Sequence, residues 1–162
     1  MKSRRLITKN SFNPCQLWRP RVPFGWLFHR PIWTTDGSEQ AEQSGGDNKT
    51  LAAAADGNIP ANVQLMLNGH QHKFEVDAYE QDVPVTITSG HGGDDFSPNA
   101  PKNPVGLVVN GKKIIAGFAK PMTYGFSMLE RDDKDMWAVT DYDVTGKALG
   151  HCAIDGRKVK CE

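Results

Sequence analysis

Short apolar runs separated by glycine, asparagine and aspartate turns dominate the chain. Phe24 to Phe28 (FGWLF) predicts a short strand. Asn62 to Leu67 is apolar at Val63, Leu65, Met66 and Leu67 and predicts a second, buried strand. His72 to Ala78 alternates, with Phe74 and Val76 apolar and Lys73, Glu75 and Asp77 polar, which predicts another strand. Val85 to Ser89 predicts another, emptying into the glycine loop Gly90-His91-Gly92-Gly93-Asp94-Asp95. Tyr124 to Arg131 and Met136 to Asp143 alternate about a turn at Asp132 to Lys134. Val144 to Lys147 turns the chain again, and Lys147 to Ile154 pairs with Arg157 to Cys161 across Asp155-Gly156. The chain from 124 to 162 therefore predicts an antiparallel meander. One helix is expected, over Lys49 to Ala55. Asp47 or Asn48 caps it, its alanines favour it, and Asp56-Gly57-Asn58 stops it.

Two stretches lack a period. Residues 1 to 23 are interrupted by Pro14, Pro20 and Pro23, and Thr34 to Asn48 is polar and reads as a surface loop. The 162 residues suffice for one domain with a core. Nineteen Lys and Arg balance nineteen Asp and Glu, so no overall field favours nucleic acid or an acidic membrane surface. The charges before Asp36 are nevertheless all basic: Lys2, Arg4, Arg5, Lys9, Arg19, Arg21 and Arg30. Such a tail serves as an anion-binding or targeting arm, or is a solvated, non-native leader, and the leader is the simpler expectation. No run approaches the roughly 20 apolar residues of a membrane span, and the basic start is not followed by an apolar signal region.

Cys15, Cys152 and Cys161 do not have the spacing of a zinc knuckle. If Asp155 to Lys158 close the last hairpin, Cys152 faces Cys161 and a cross-strand disulfide is within reach. A turn of two residues at Asp155-Gly156 leaves the pair diagonal, and two free thiols are then expected. A bridge would imply an oxidising compartment.

Candidate chemistry lies in the histidines. Gly69-His70-Gln71-His72 follows the buried strand at once, His29 ends the first strand, and His91 sits between glycines. Neutral imidazole ligates zinc, iron and manganese, and a glycine ahead of His70 lets the chain turn so that ring nitrogens converge. His29, His70 and His72 would make a three-histidine site with an open position. His91 is either a pocket residue able to donate a proton or simply part of a glycine turn.

Taken together, His29-Arg30-Pro31-Ile32-Trp33 and Gly69-His70-Gln71-His72 resemble the last two motifs of the calcineurin-like metallophosphoesterases, the superfamily that includes purple acid phosphatases. Leu51 to Pro60 resembles the usual lead-in, and Pro84 to Gly93 the strand and Gly-Gly loop that follow, so the likeness covers residues 24 to 96. It implies an α+β fold, the C-terminal portion of a four-layer αββα sandwich, mostly β, within a partial domain spanning 24 to 162. It implies two metals (Mn, Fe or Zn), with His29 and His70 on one and His72 on the other. Their task would be to activate water against a phosphomonoester or phosphodiester, with no nucleophilic side chain.

The superfamily's Asp-X-His, Gly-Asp-X-X-Asp and Gly-Asn-His motifs belong upstream of His29, and none occurs among the 28 residues there. Three neutral imidazoles cannot neutralise two divalent cations, so at most one metal is expected here. The expectation is thus a fragment of a phosphoric-ester hydrolase, inactive alone, with exposed sheet edges and an uncovered apolar face. A separately encoded N-terminal half is the partner that would complete it. The alternative is a non-catalytic remnant that binds metal or a partner. The sequence carries no address, although a Cys152–Cys161 bridge would point to a periplasmic or secreted parent.

Overall fold

The computed structural model describes residues 24–35 and 49–162. Ten strands and one helix form among them, arranged as two sheets. Strands β1 (Phe24–Phe28), β2 (Val63–Asn68), β3 (Phe74–Tyr79), β4 (Val85–Ser89), β5 (Val108–Val109) and β6 (Lys112–Lys120) make a mixed sheet in the order β1-β2-β4-β3-β6-β5. Its β1, β2 and β4 run parallel, while β3 is antiparallel to both β4 and β6. Strands β7 (Gly125–Arg131), β8 (Trp137–Asp143), β9 (Ala148–Asp155) and β10 (Lys158–Cys161) form the antiparallel meander expected of the C-terminal region. The helix α1 (Lys49–Ala55) matches its predicted bounds. Asn58 Nδ2 closes it by donating to the carbonyl of Ala54 at 2.9 Å, and Gly57 takes φ 70° just beyond. The proposed caps Asp47 and Asn48, the segment 1–23 and Cys15 lie outside the described residues.

The mixed sheet has two differently covered faces. Leu65, Phe74, Val76, Ala78, Val85 and Ile87 pack against Val139, Cys152 and Ile154 of the meander. On the other face, Met66, Tyr79 and Ile114 pack against Ala52 and Ala55 of α1 and against Ile32 and Trp33. Alternation is why one strand can serve both cores: successive side chains point to opposite faces.

The polar phase of β3 is buried as well as the apolar one, because the segment Pro31–Thr35 lies over it, and Lys73, Glu75 and Asp77 are at most 1% exposed. Thr34 and Thr35, assigned to a surface loop, belong to that covering segment and are buried too. Of the two registers open to the last hairpin, the loop Asp155 to Lys158 forms, turning at Gly156-Arg157 and not at Asp155-Gly156, so Asp155 pairs with Lys158 and Cys152 with Cys161. That register carries a disulfide between Cys152 and Cys161, with Cα atoms 4.0 Å apart. The nine-residue β6 has no counterpart in the predicted elements.

The two sheets meet at a buried His–Asp contact. His91, after β4, lies 2.9 Å by Nε2 from Oδ1 of Asp141 on β8, with both side chains at most 1% exposed. Neither carboxyl oxygen is aligned for a directional hydrogen bond. Gly125 is required beside it. A Cβ there would stand 2.0 Å from the carbonyl oxygen of Tyr142 and 3.0 Å from the His91 ring. Along β1 and β7 the sandwich is open. β1 and β7 are both edge strands, and Leu27 is 80% exposed although its partner across the β1–β2 ladder, Leu67, is half-buried.

Candidate metal centre at the carboxyl edge of the mixed sheet

Parallel strands β1 and β2 end side by side, with Phe28 opposite Asn68. The residues that follow them therefore emerge together at one sheet edge, the usual position for ligands in sheets with parallel strands. Gly69 N donates to the carbonyl of His29 at 3.1 Å, which fixes the two exits to each other. His70 then takes φ 67°. The sharp turn expected of Gly69 is thus carried by the histidine itself, a conformation that costs a non-glycine residue on the order of 1 kcal/mol or more. The turn is tight: Gln71 N donates to Gly69 O and Lys73 N to Gln71 O, both at 2.8 Å. Gly90 packs directly on it, and a Cβ at Gly90 would lie 2.1 Å from the Gln71 carbonyl oxygen.

The turn brings two imidazoles together. Nδ1 of His70 is 3.3 Å from Nε2 of His29, and the rings meet edge to face with centroids 5.1 Å apart. That separation suits a long N–H···N hydrogen bond. It also equals the bite of one tetrahedral cation, since ligand bonds of about 2.0–2.1 Å place two nitrogens roughly 3.3–3.4 Å apart. His72 is half-buried, and its backbone is fastened elsewhere. Its N–H donates to Ser97 Oγ at 2.9 Å, and its carbonyl accepts from Ser97 N at 3.1 Å. Among the described residues no group of three or more His, Cys, Asp or Glu side chains converges as a metal cage. His29 and His70 are therefore brought together, and His72 does not join them in such a group. His91 is neither a pocket residue open to solvent nor a bare turn residue. It is 2% exposed and engaged with Asp141.

Sequence reasoning missed the polar network beneath the pair. Glu75 Oε1 accepts from Thr34 Oγ1 at 3.2 Å and from Thr35 N at 3.1 Å. Glu75 Oε2 accepts from Thr35 Oγ1 at 2.6 Å and from Lys73 Nζ at 2.7 Å. Lys73 Nζ also donates to the Thr35 carbonyl at 2.5 Å. Thr34 Oγ1 lies 3.3 Å from Thr88 Oγ1, a contact with no hydrogen left to share, since Thr34 donates to Glu75 and Thr88 donates to Asn68 Oδ1 at 2.9 Å. Lys73 lies against Glu75, while burial and then the charge of Glu75 push the Asp77 carboxyl well above the usual range. Burial and then Asp77 likewise raise Tyr79. Asp141 had a legible signal, because it falls in the apolar phase of Trp137-Val139-Asp141. Glu75 had none, since its phase on β3 is the polar one.

An opening between the sheets adjoins the turn. It measures about 250 Å³ and is lined by Leu27, Leu67, Gly69, Ser127, Leu129 and Val139.

The chain is thus a mostly β protein of two packed sheets, one mixed and one antiparallel, with a histidine pair at the carboxyl edge of the mixed one. No family model matches it, and no curated protein matches it.

Proposed function

We propose that this chain carries part of the metal centre of a metal-dependent phosphoric-ester hydrolase of the calcineurin-like kind, within the C-terminal portion of a four-layer αββα sandwich. The observation that carries the reading is the 3.3 Å separation of His29 Nε2 and His70 Nδ1, contributed from 41 residues apart by two adjacent parallel strands. The left-handed backbone at His70 supports it, because strained residues cluster at sites where geometry matters. His29 and His70 would hold one divalent cation, with His72 turned toward a second position. Such a cation would supply positive charge for the phosphate oxygens and lower the pKa of a nearby water. This chain's own part is to orient two neutral donors and to offer an apolar opening beside Gly69 for the organic portion of the ester.

A second reading follows from the absence of any cluster of three or more ligand side chains among the described residues. Two neutral imidazoles bring no negative charge to a dication, so the chain alone would bind metal without turnover and await carboxylates from a partner. The two readings separate in one assay, hydrolysis of p-nitrophenyl phosphate and its bis-ester with manganese or zinc, beside His70→Ala. Metal-dependent turnover that disappears in the variant supports a hydrolase complete as it stands. Folded, metal-loaded protein without turnover supports the remnant.

A further inference from the structure

We propose that Glu75, together with Lys73, is the positioning group that sets the His29–His70 pair, a role that rests on the reading of that pair as a metal site. His29 is exposed and lies on the bend that leaves β1, where its carbonyl accepts from the Gly69 N–H. What fixes the chain after it is the segment Pro31–Thr35, and the polar anchor of that segment is Glu75. Both carboxylate oxygens are used. One takes the Thr34 hydroxyl and the Thr35 amide, and the other takes the Thr35 hydroxyl and the Lys73 ammonium. Lys73 closes the far side through the Thr35 carbonyl. The same segment is held on its apolar side by Trp33, which meets Tyr79 edge to face at 6.1 Å.

The network reaches the other histidine by two routes. Thr34 packs at 3.3 Å against the Thr88 hydroxyl, which donates to Asn68, the residue before Gly69-His70. Lys73 and Glu75 also begin the strand into which His70-Gln71-His72 runs. One buried carboxylate therefore ties together the chain after His29, the end of β2 and the start of β3, and the two imidazoles meet where those three converge. Glu75 touches neither ring. Its influence passes through backbone placement, as the outer hydrogen-bond partners of metal ligands act, and removal of such partners typically weakens metal binding about 10- to 100-fold. An amide in place of the carboxylate would confront the Lys73 ammonium and the Thr35 hydroxyl with donors and remove the charge balance.

The test compares wild type, Glu75→Gln and Val76→Ala. Val76 is buried on the opposite face of the same strand, so its truncation lowers stability without touching the network. Two readouts are taken on folded protein: zinc affinity by competition, and the through-space proximity of the His29 and His70 rings by NMR. In Glu75→Gln the expected result is zinc binding weakened about tenfold or more and no cross-peak between the two rings. In Val76→Ala the zinc affinity and the cross-peak should both match wild type. A cross-peak that persists in Glu75→Gln, or equal impairment of both variants, overturns the proposal. If Glu75→Gln does not fold, Thr34→Val decides by the same readouts, since it removes a hydroxyl that donates to Glu75 and leaves the side-chain volume nearly unchanged. Wild type that takes up no zinc sinks the metal reading, and the ring cross-peak still decides the positioning role without it.

Discussion

Replacing Asp77 by asparagine should flatten the pH dependence of stability. In the folded protein burial and the neighbouring Glu75 charge keep the Asp77 carboxyl protonated, whereas in the unfolded chain it ionises near pH 3.9. Above that pH the folded state holds one proton more than the unfolded state. The free energy of unfolding then falls by about 1.4 kcal/mol for each pH unit, until the folded carboxyl itself ionises. The contribution is present in full below about pH 4 and is lost as pH rises. Asparagine cannot titrate, so the two proteins should diverge over that window, with the variant gaining relative to wild type at higher pH. An imperfectly paired amide would displace the variant's curve vertically by about 1–3 kcal/mol without altering its slope. The slope difference therefore isolates the titration from the packing. Urea unfolding followed by tryptophan fluorescence from about pH 4.5 to 8 measures it, because Trp33 is buried and reports loss of the core. Parallel stability–pH curves for the two proteins would refute the protonated state of Asp77.

Other consequences are more local. Changing Cys152 and Cys161 together to alanine opens a loop closed across a sequence separation of 9 and should cost about 2.7 kcal/mol, read as a lower Tm. An unchanged Tm would show that the bond contributes nothing to stability. His91→Ala leaves the buried Asp141 side chain without its partner and should cost about 1–3 kcal/mol in denaturant unfolding, whereas His29→Ala, at an exposed position, should cost far less. Comparable destabilisation by the two variants would deny His91 its place as the tie between the sheets.

Much of the architecture was legible because alternation and turn chemistry agreed. Residues 63–68, 85–89 and the four strands of the meander sit within a residue or two of expectation, since Gly and Asp turns punctuate clean period-two runs. Two failures have physical causes. β6 (KKIIAGFAK) breaks the alternation, because Ile115 is exposed while Ile114 is buried and a glycine interrupts the run, so periodicity gives little signal. β3 alternates well, yet its polar phase is buried. Periodicity reports which residues share a face and cannot tell that a segment from about forty residues upstream covers it. The same limit explains the candidate site. His29 and His70 were visible as residues because of their motifs. Glu75, which anchors the segment behind them, looked like any solvent-facing strand residue.

The most direct measurement of the central claim is anomalous scattering at the zinc edge from crystals grown with zinc. A cation held by the pair gives a peak about 2.0–2.1 Å from both Nε2 of His29 and Nδ1 of His70. A peak coordinated elsewhere with neither ring as a ligand, or none at this edge of the sheet at saturating zinc, would contradict that claim.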